Sequence, residues 1–129
     1  MAEFSKNWKA SKQPRKQRKY AYNAPIHTRQ KFMTACVSKE LEKKHGIKKI
    51  SVRKGDKIKV LRGQFRGKTG KVNRIGLSKT RLYADGIERT KTDGSKAFYP
   101  VHPSNVIITE MVLDDKRRIK KAGKNEKQA

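Results

Sequence analysis

The excess of positive charge is the feature that most limits what this chain can fold into. Its 129 residues contain 35 lysines and arginines against 11 acidic residues, which gives a formal net charge of +24. Like charges repel one another in a compact state, and only 33% of the residues are hydrophobic. We therefore expect a small core, basic arms and a polyanionic partner, for which nucleic acid is the obvious candidate.

The basic residues are spread along the whole chain. Residues 1–31 contain nine Lys or Arg and one acid, and residues 116–129 contain seven and one, so 19 bases and nine acids remain between them. A globular protein with a non-specific basic tail would have a near-neutral centre. This distribution predicts that a central domain and two extended arms, at residues 1–24 and 116–129, all contact phosphate.

Residues 1–24 contain no sustained apolar period, which predicts an extended RNA-binding arm. Cations in such an arm hold the backbone of RNA. The interleaved aromatic residues either stack on unpaired bases or only anchor the arm to the domain. The predicted RNA contacts here are Lys12, Arg15, Lys16, Arg18, Lys19, Tyr20 and Tyr22.

Residues 25–46 are predicted to be a short helical segment. Four apolar residues have spacings compatible with one helix face, namely Ile26, Met33, Val37 and Leu41. Thr28 and Ser38 are candidate N-caps, and Gly46 is a candidate left-handed C-cap. We expect two short helices that meet near residues 35–38, and the alternative is one continuous helix.

From residue 47 the pattern changes to short strands separated by turns. Residues 57–60 alternate polar and apolar side chains, which is typical of a half-buried strand. Further strands are predicted at residues 50–52, 72–75, 80–84, 87–91 and 106–108. The fold class is therefore mainly β, with a small barrel or curled sheet over residues 47–115.

The most informative segment runs from Gly55 to Val72, with the sequence GDKIKVLRGQFRGKTGKV. It reads as a strand, a glycine-rich loop and a second strand. Glycines at positions 63, 67 and 70 permit a positive φ or a close backbone approach. The cations in and beside the loop are Arg62, Arg66, Lys68 and Lys71. A loop of this kind is suited to holding an RNA backbone.

This segment resembles the KOW motif, which occurs in SH3-like barrels of ribosomal proteins and transcription elongation factors. The flanking segments NAPIH (23–27), HPSNV (102–106) and LDDKR (113–117) are similar to a family of large-subunit ribosomal proteins. That family is called L24 in bacterial naming and L26 in eukaryotic naming, and the chain resembles its archaeal or eukaryotic form. One departure is Cys36, where many relatives have a proline between two short helices.

The resemblance implies an SH3-like KOW barrel and a structural role in the cytoplasmic ribosome. It further implies binding to the 5′ part of large-subunit ribosomal RNA, early subunit assembly, a place near the peptide exit tunnel, and neighbouring ribosomal proteins as partners. Besides the residues given above, we expect RNA contacts at Arg29, Lys31, Arg53, Lys54, Gly63, Gly67, Arg117 and Arg118.

Other classes of function fit the sequence poorly. A phosphate-binding loop needs a glycine five residues before Gly67, and that position is Arg62. We expect no enzyme activity, no cofactor and no small-molecule substrate. The single cysteine and three scattered histidines argue against a metal site. No apolar run approaches the length of a membrane span.

Two other nucleic-acid-binding classes remain to be compared. A KOW-type transcription elongation factor, or another general RNA-binding factor, is the main alternative. Such factors usually pair the KOW domain with a separate partner domain, for which this chain has no room. A histone-like DNA compactor would need helix-rich dimerisation or minor-groove wedges. The glycine-rich strand pattern argues against that class.

Overall fold

The computed structural model describes residues 4–120. The N-terminal part contains a 3-10 turn (Lys6–Ala10) and helices α1 (Pro14–Asn23) and α2 (Ile26–Phe32). Strand β1 (Thr34–Val37), helix α3 (Lys39–His45) and strand β2 (Lys49–Ser51) follow. The later elements are β3 (Lys57–Val60), β4 (Thr69–Gly76), β5 (Arg81–Ala84), β6 (Glu88–Thr90), β7 (Lys96–Phe98), a 3-10 turn (Pro103–Asn105) and β8 (Val106–Glu110). Residues 116–120 are helical and are called α4.

Six strands form one mixed sheet in the order β2-β1-β8-β3-β4-β5. Strand β1 runs parallel to β8, and the other neighbours are antiparallel. Strands β6 and β7 form a separate hairpin, and Leu82 of β5 makes an isolated bridge to Val101. Among the described residues the sheet does not close into a barrel. The expected closed SH3-like barrel is therefore not found.

The mainly-β class holds only in part, because helices contain about as many residues as strands, about 32% against about 30%.

The core lies where the strands turn their alternating apolar side chains inward. Ile58, Leu82, Ile87 and Ile108 are fully buried. Burying each such side chain contributes roughly 1.5–3 kcal/mol. The polar and apolar alternation of Lys57–Val60 matches its observed burial, in which Ile58 and Val60 point inward.

The prediction of extended arms was wrong where the structure can test it. Residues 14–23 form helix α1, which begins at Pro14, the first helical position that proline favours. Apart from Pro14, the apolar residues of α1 occupy the consecutive positions 20–22, so its sequence has no sustained helical spacing from which the helix could be predicted. Residues 116–120 are also helical. The rest of the predicted C-terminal tail, residues 121–129, and the first three residues of the N-terminal arm lie outside the described residues.

The prediction of two short helices in residues 25–46 is confirmed, but a strand separates them. Ser38 caps α3 by accepting a hydrogen bond from the Leu41 amide, and Gly46 ends it with a φ of +67°, both as predicted. The candidate cap Thr28 was wrong, because α2 follows Pro25 directly. Residues 34–37 form β1 because they pair with β2 on one side and β8 on the other. These long-range pairings override the helical spacing of the apolar residues.

Candidate nucleic-acid interface

The glycine-rich loop between β3 and β4 is a compact turn that is closed at its base by backbone hydrogen bonds. The Val60 amide donates to the Lys68 carbonyl at 2.9 Å, and the Gly67 amide donates to the Val60 carbonyl at 2.8 Å. Gly67 has a φ of +84°. A Cβ on Gly70 would lie 2.1 Å from the Asp85 carbonyl oxygen. The predicted reasons for glycine, a positive φ and a close approach, are therefore both confirmed.

The loop cations project into solvent. Arg62, Arg66 and Lys71 are exposed, and within residues 4–120 no acidic side chain forms a salt bridge with any of them. The Lys68 ammonium lies 5.1 Å from the ring centroid of Phe65, which is buried beneath the loop. The loop thus presents a positive surface whose charges form no salt bridges within residues 4–120, and hydrogen bonds at its base hold its backbone.

Helix α1 and the short segment that leads into it carry a second group of exposed cations, namely Lys12, Arg15, Arg18 and Lys19, with Lys16 partly buried. The Gln17 side-chain amide donates to the carbonyls of Trp8 and Ser11, which ties the preceding turn to the helix. The Lys19 ammonium lies 4.9 Å from the centroid of the Trp8 ring. The basic arm is therefore a structured helical element in this region.

The two tyrosines of α1 have different surroundings. Tyr20 packs between Phe4, with ring centroids 5.1 Å apart, and Phe32, with ring centroids 6.2 Å apart. Its ring anchors the arm to α2, which was the alternative to base stacking. Tyr20 is only partly buried, and its contact with RNA stays a prediction. Tyr22 is 80% exposed and its ring is open to a partner.

Arg29 and Lys31 are also predicted RNA contacts, and like the two tyrosines one of them is bound to the chain itself and the other is exposed. The Arg29 guanidinium donates to the carbonyls of Tyr22, in the last turn of α1, and of Ala24, its C-cap. A cation at a helix C-terminus also interacts favourably with the helix dipole. Arg29 is partly buried, and its primary contacts are with the chain itself, whereas Lys31 is exposed.

Arg118 is the clearest correction among the predicted contacts. It is only 3% exposed, and its guanidinium forms a two-pronged ion pair with the carboxylate of the fully buried Asp56. It also donates to the carbonyls of Val112 and Ser51, each at 3.0 Å. A side chain enclosed in this way is not available to phosphate. Arg118 joins the C-terminal helix to the sheet.

The remaining predicted contacts lie near this ion pair but on the surface. Arg53, Lys54 and Arg117 are exposed. Arg53 forms a salt bridge with Asp115 at 3.1 Å. The Arg117 amide donates to the Asp115 carboxylate, and this bond, followed by the one from the Arg53 side chain, lowers the pKa of Asp115. Arg53 is therefore partly neutralised, whereas no acidic side chain within residues 4–120 forms a salt bridge with Lys54 or Arg117.

The family comparison covers most of these elements. A family model for ribosomal proteins, L26 in eukaryotes and L24p in archaea, matches residues 11–124. The chain belongs to this family. It is a large-subunit ribosomal protein of the L24/L26 type, and its location is the cytoplasmic ribosome.

One group of side chains in this L24/L26-type protein has no signal in the sequence. Arg81, Tyr99 and His102 lie together beside the glycine-rich loop. They meet because Leu82 and Val101 exchange backbone hydrogen bonds of 2.7 and 3.0 Å. No local sequence pattern predicts this pairing, because the two residues are 19 positions apart. Partial burial, and then the charge of Arg81, lowers the pKa of His102.

The part of the protein described by the structure contains no group of three or more His, Cys, Asp or Glu placed to hold a metal ion. No helix between residues 4 and 120 is long and apolar enough to cross a membrane.

Proposed function

We propose that this protein binds large-subunit ribosomal RNA as a structural constituent of the subunit and supports its early assembly near the peptide exit tunnel. The observation that carries the proposal is the glycine-rich loop, with its exposed cations on a hydrogen-bonded turn. Phosphate contacts position a protein on RNA, and a closely turned backbone lets cations reach phosphates without obstruction. The KOW character of the segment supports the same reading.

The second part of the proposal assigns different tasks to the two basic regions. The loop cations hold RNA against the sheet. Arg15 and Arg18 of helix α1, together with Lys12 just before the helix, extend the contact. Tyr20, Arg29 and Arg118 support the interface from behind, because their side chains are bound to the chain itself. Neighbouring ribosomal proteins complete the surroundings. The role is that of a scaffold without catalysis.

Incorporation into ribosomes tests this proposal. A tagged chain should sediment with large subunits in a sucrose gradient, because the RNA that it contacts lies there. Arg66→Ala should lower the incorporated fraction, since it removes an exposed loop charge. Lys57→Ala is the matched control, because its charge is already paired with Glu110 at 3.0 Å. Recovery of the parent chain with RNA polymerase would instead favour the elongation-factor alternative.

A further inference from the structure

A cleft of about 190 Å³ lies between the glycine-rich loop and the segment that follows β7. The loop supplies one wall, with Arg62 and Phe65, and the chain from Tyr99 to Asn105 supplies the other. The Leu61 amide donates to the Asn105 carbonyl at 2.8 Å, which fixes the two walls to each other. The cleft is therefore built into the fold.

Its lining combines an aromatic surface, an apolar floor and a cationic rim. The Tyr99 ring packs at 4.9 Å against the buried Phe65 ring and is itself only partly buried. Val60 and Val101 are buried in the floor. Arg62 and Arg81 contribute guanidinium groups. A site for an anion alone would gain nothing from the apolar floor, whereas a base has both an apolar face and a charged backbone beside it.

His102 presents a defined hydrogen-bonding group at this site. Its Nδ1 accepts from the Ser104 amide at 3.2 Å and lies 2.7 Å from the Ser104 hydroxyl. Because Nδ1 accepts from an amide, the proton of the neutral ring is on Nε2, which is then a donor. Asn105 is also a lining residue, and a side-chain amide can offer both a donor and an acceptor.

We propose that this cleft binds a single unpaired RNA base, which stacks on Tyr99 while the adjoining phosphates contact Arg62 and Arg81. The inference rests on the proposed binding of ribosomal RNA and deepens it. The volume is below the roughly 300–1,000 Å³ of pockets for drug-sized ligands, which suits one base. Paired bases in an A-form duplex are not available for such stacking, so the bound nucleotide comes from a loop, bulge or end.

Filter binding to purified large-subunit ribosomal RNA over a series of salt concentrations tests the cleft. Tyr99→Leu should lower affinity about 5- to 150-fold, the range of base–aromatic stacking, without changing the salt slope. Tyr99→Phe keeps the ring and should bind like the parent. Arg62→Ala should make the slope shallower by about 0.7, because one phosphate contact is lost. Thermal melting of each variant checks that it is folded.

Ultraviolet cross-linking of the parent protein to the same RNA is a second test, and it does not depend on whether a variant folds. Mass spectrometry should find a nucleotide adduct on Tyr99 or Phe65. Normal binding by a folded Tyr99→Leu protein, or adducts confined to other peptides, would overturn the base site and leave RNA binding intact. Failure of the parent to bind the RNA would instead contradict the proposed function itself.

Discussion

The buried ion pair of Arg118 and Asp56 joins the C-terminal helix to residues 51–56 and to Val112. The Asp56 carboxylate also accepts from the amides of Arg53, at 2.9 Å, and Val112, at 3.1 Å. We predict that Arg118→Ala lowers the free energy of unfolding by about 3–5 kcal/mol, because it leaves a buried charge without its partner. Urea unfolding followed by circular dichroism measures this loss.

Arg117→Ala is the matched control for that prediction. It removes the same charge from the same helix, but at an exposed position, so its effect should stay within about 0.5 kcal/mol. Equal stability of the Arg118 and Arg117 variants would show that the ion pair does not hold the C-terminal helix.

The pKa of His102 is lowered by burial and by Arg81, which makes stability depend on pH. The folded pKa lies below the ordinary value of 6.5, so the unfolded state binds more protons near that pH. The stability contributed by neutral His102 is therefore present above pH 6.5. It is lost as the pH falls through the folded pKa.

Urea unfolding between pH 7.5 and pH 5.5 should reveal this loss in the parent protein. His102→Asn should flatten the dependence, because asparagine can still cap the Ser104 amide but does not titrate. The pKa values of Asp93 and Asp115 are lowered from 3.8, so these groups titrate below the window. A steeper dependence in the asparagine variant would contradict the assignment to His102.

At the scale of elements, substitutions of the glycines and of the cations in the glycine-rich loop should have different effects, on stability and on RNA binding respectively. Gly67→Val should lower the free energy of unfolding by about 1–3 kcal/mol, because a β-branched residue is strained at a φ of +84°. A Cβ there would meet no atom within 4 Å, so the loss reflects backbone conformation alone. Thermal melting measures it. Thr69→Val, at an exposed strand position two residues on, should leave the melting temperature nearly unchanged.

The cations of the same loop should behave in the opposite way. A double variant with Arg62→Ala and Arg66→Ala should melt like the parent, since exposed charges contribute little to stability. Its affinity for ribosomal RNA should fall, and its salt slope should become shallower by about 1.4, for two lost contacts to single-stranded RNA. Unchanged binding, or a much lower melting temperature, would assign the loop a structural role only.

Helix α1 depends on Tyr20 for its attachment. Tyr20→Ala removes the ring between Phe4 and Phe32, so α1 should separate more often from α2. Limited trypsin digestion should then cut faster at Arg15 and Arg18. Tyr22→Ala removes the same side chain from a site that is 80% exposed and should leave the cleavage rate unchanged. Equal rates in the two variants would contradict the anchoring role.

The elements that the sequence predicts are those whose signals are local. Strand β3 follows from its alternation, and the loop follows from its glycines. Strand β1 was missed because Met33, Val37 and Leu41 also have helical spacing, and only pairing with distant strands decides the outcome. In the sequence Arg118 belongs to a run of basic residues, and no local pattern indicates its partner Asp56, which lies 62 residues away.

At the scale of the whole molecule, the cations form a distributed surface, in contrast to a single basic tail. If at least six of them contact phosphates, the logarithm of affinity should fall with the logarithm of salt with a slope of about −4 or steeper. Filter binding of the parent protein to ribosomal RNA measures the slope. A value near −1 would contradict distributed contact, because it corresponds to one or two phosphates.

Strand β8 lies inside the sheet, between β1 and β3, although it is the last strand within residues 4–120. During synthesis, β1 and β3 can therefore pair with β8 only after some 50 to 70 further residues have been translated. Contacts so distant in sequence form slowly, since a long loop must close first. The pairs β1–β2 and β3–β4–β5 need no later strand, but the six-stranded sheet can be completed only after residue 110 has been translated, because β8 joins these two parts.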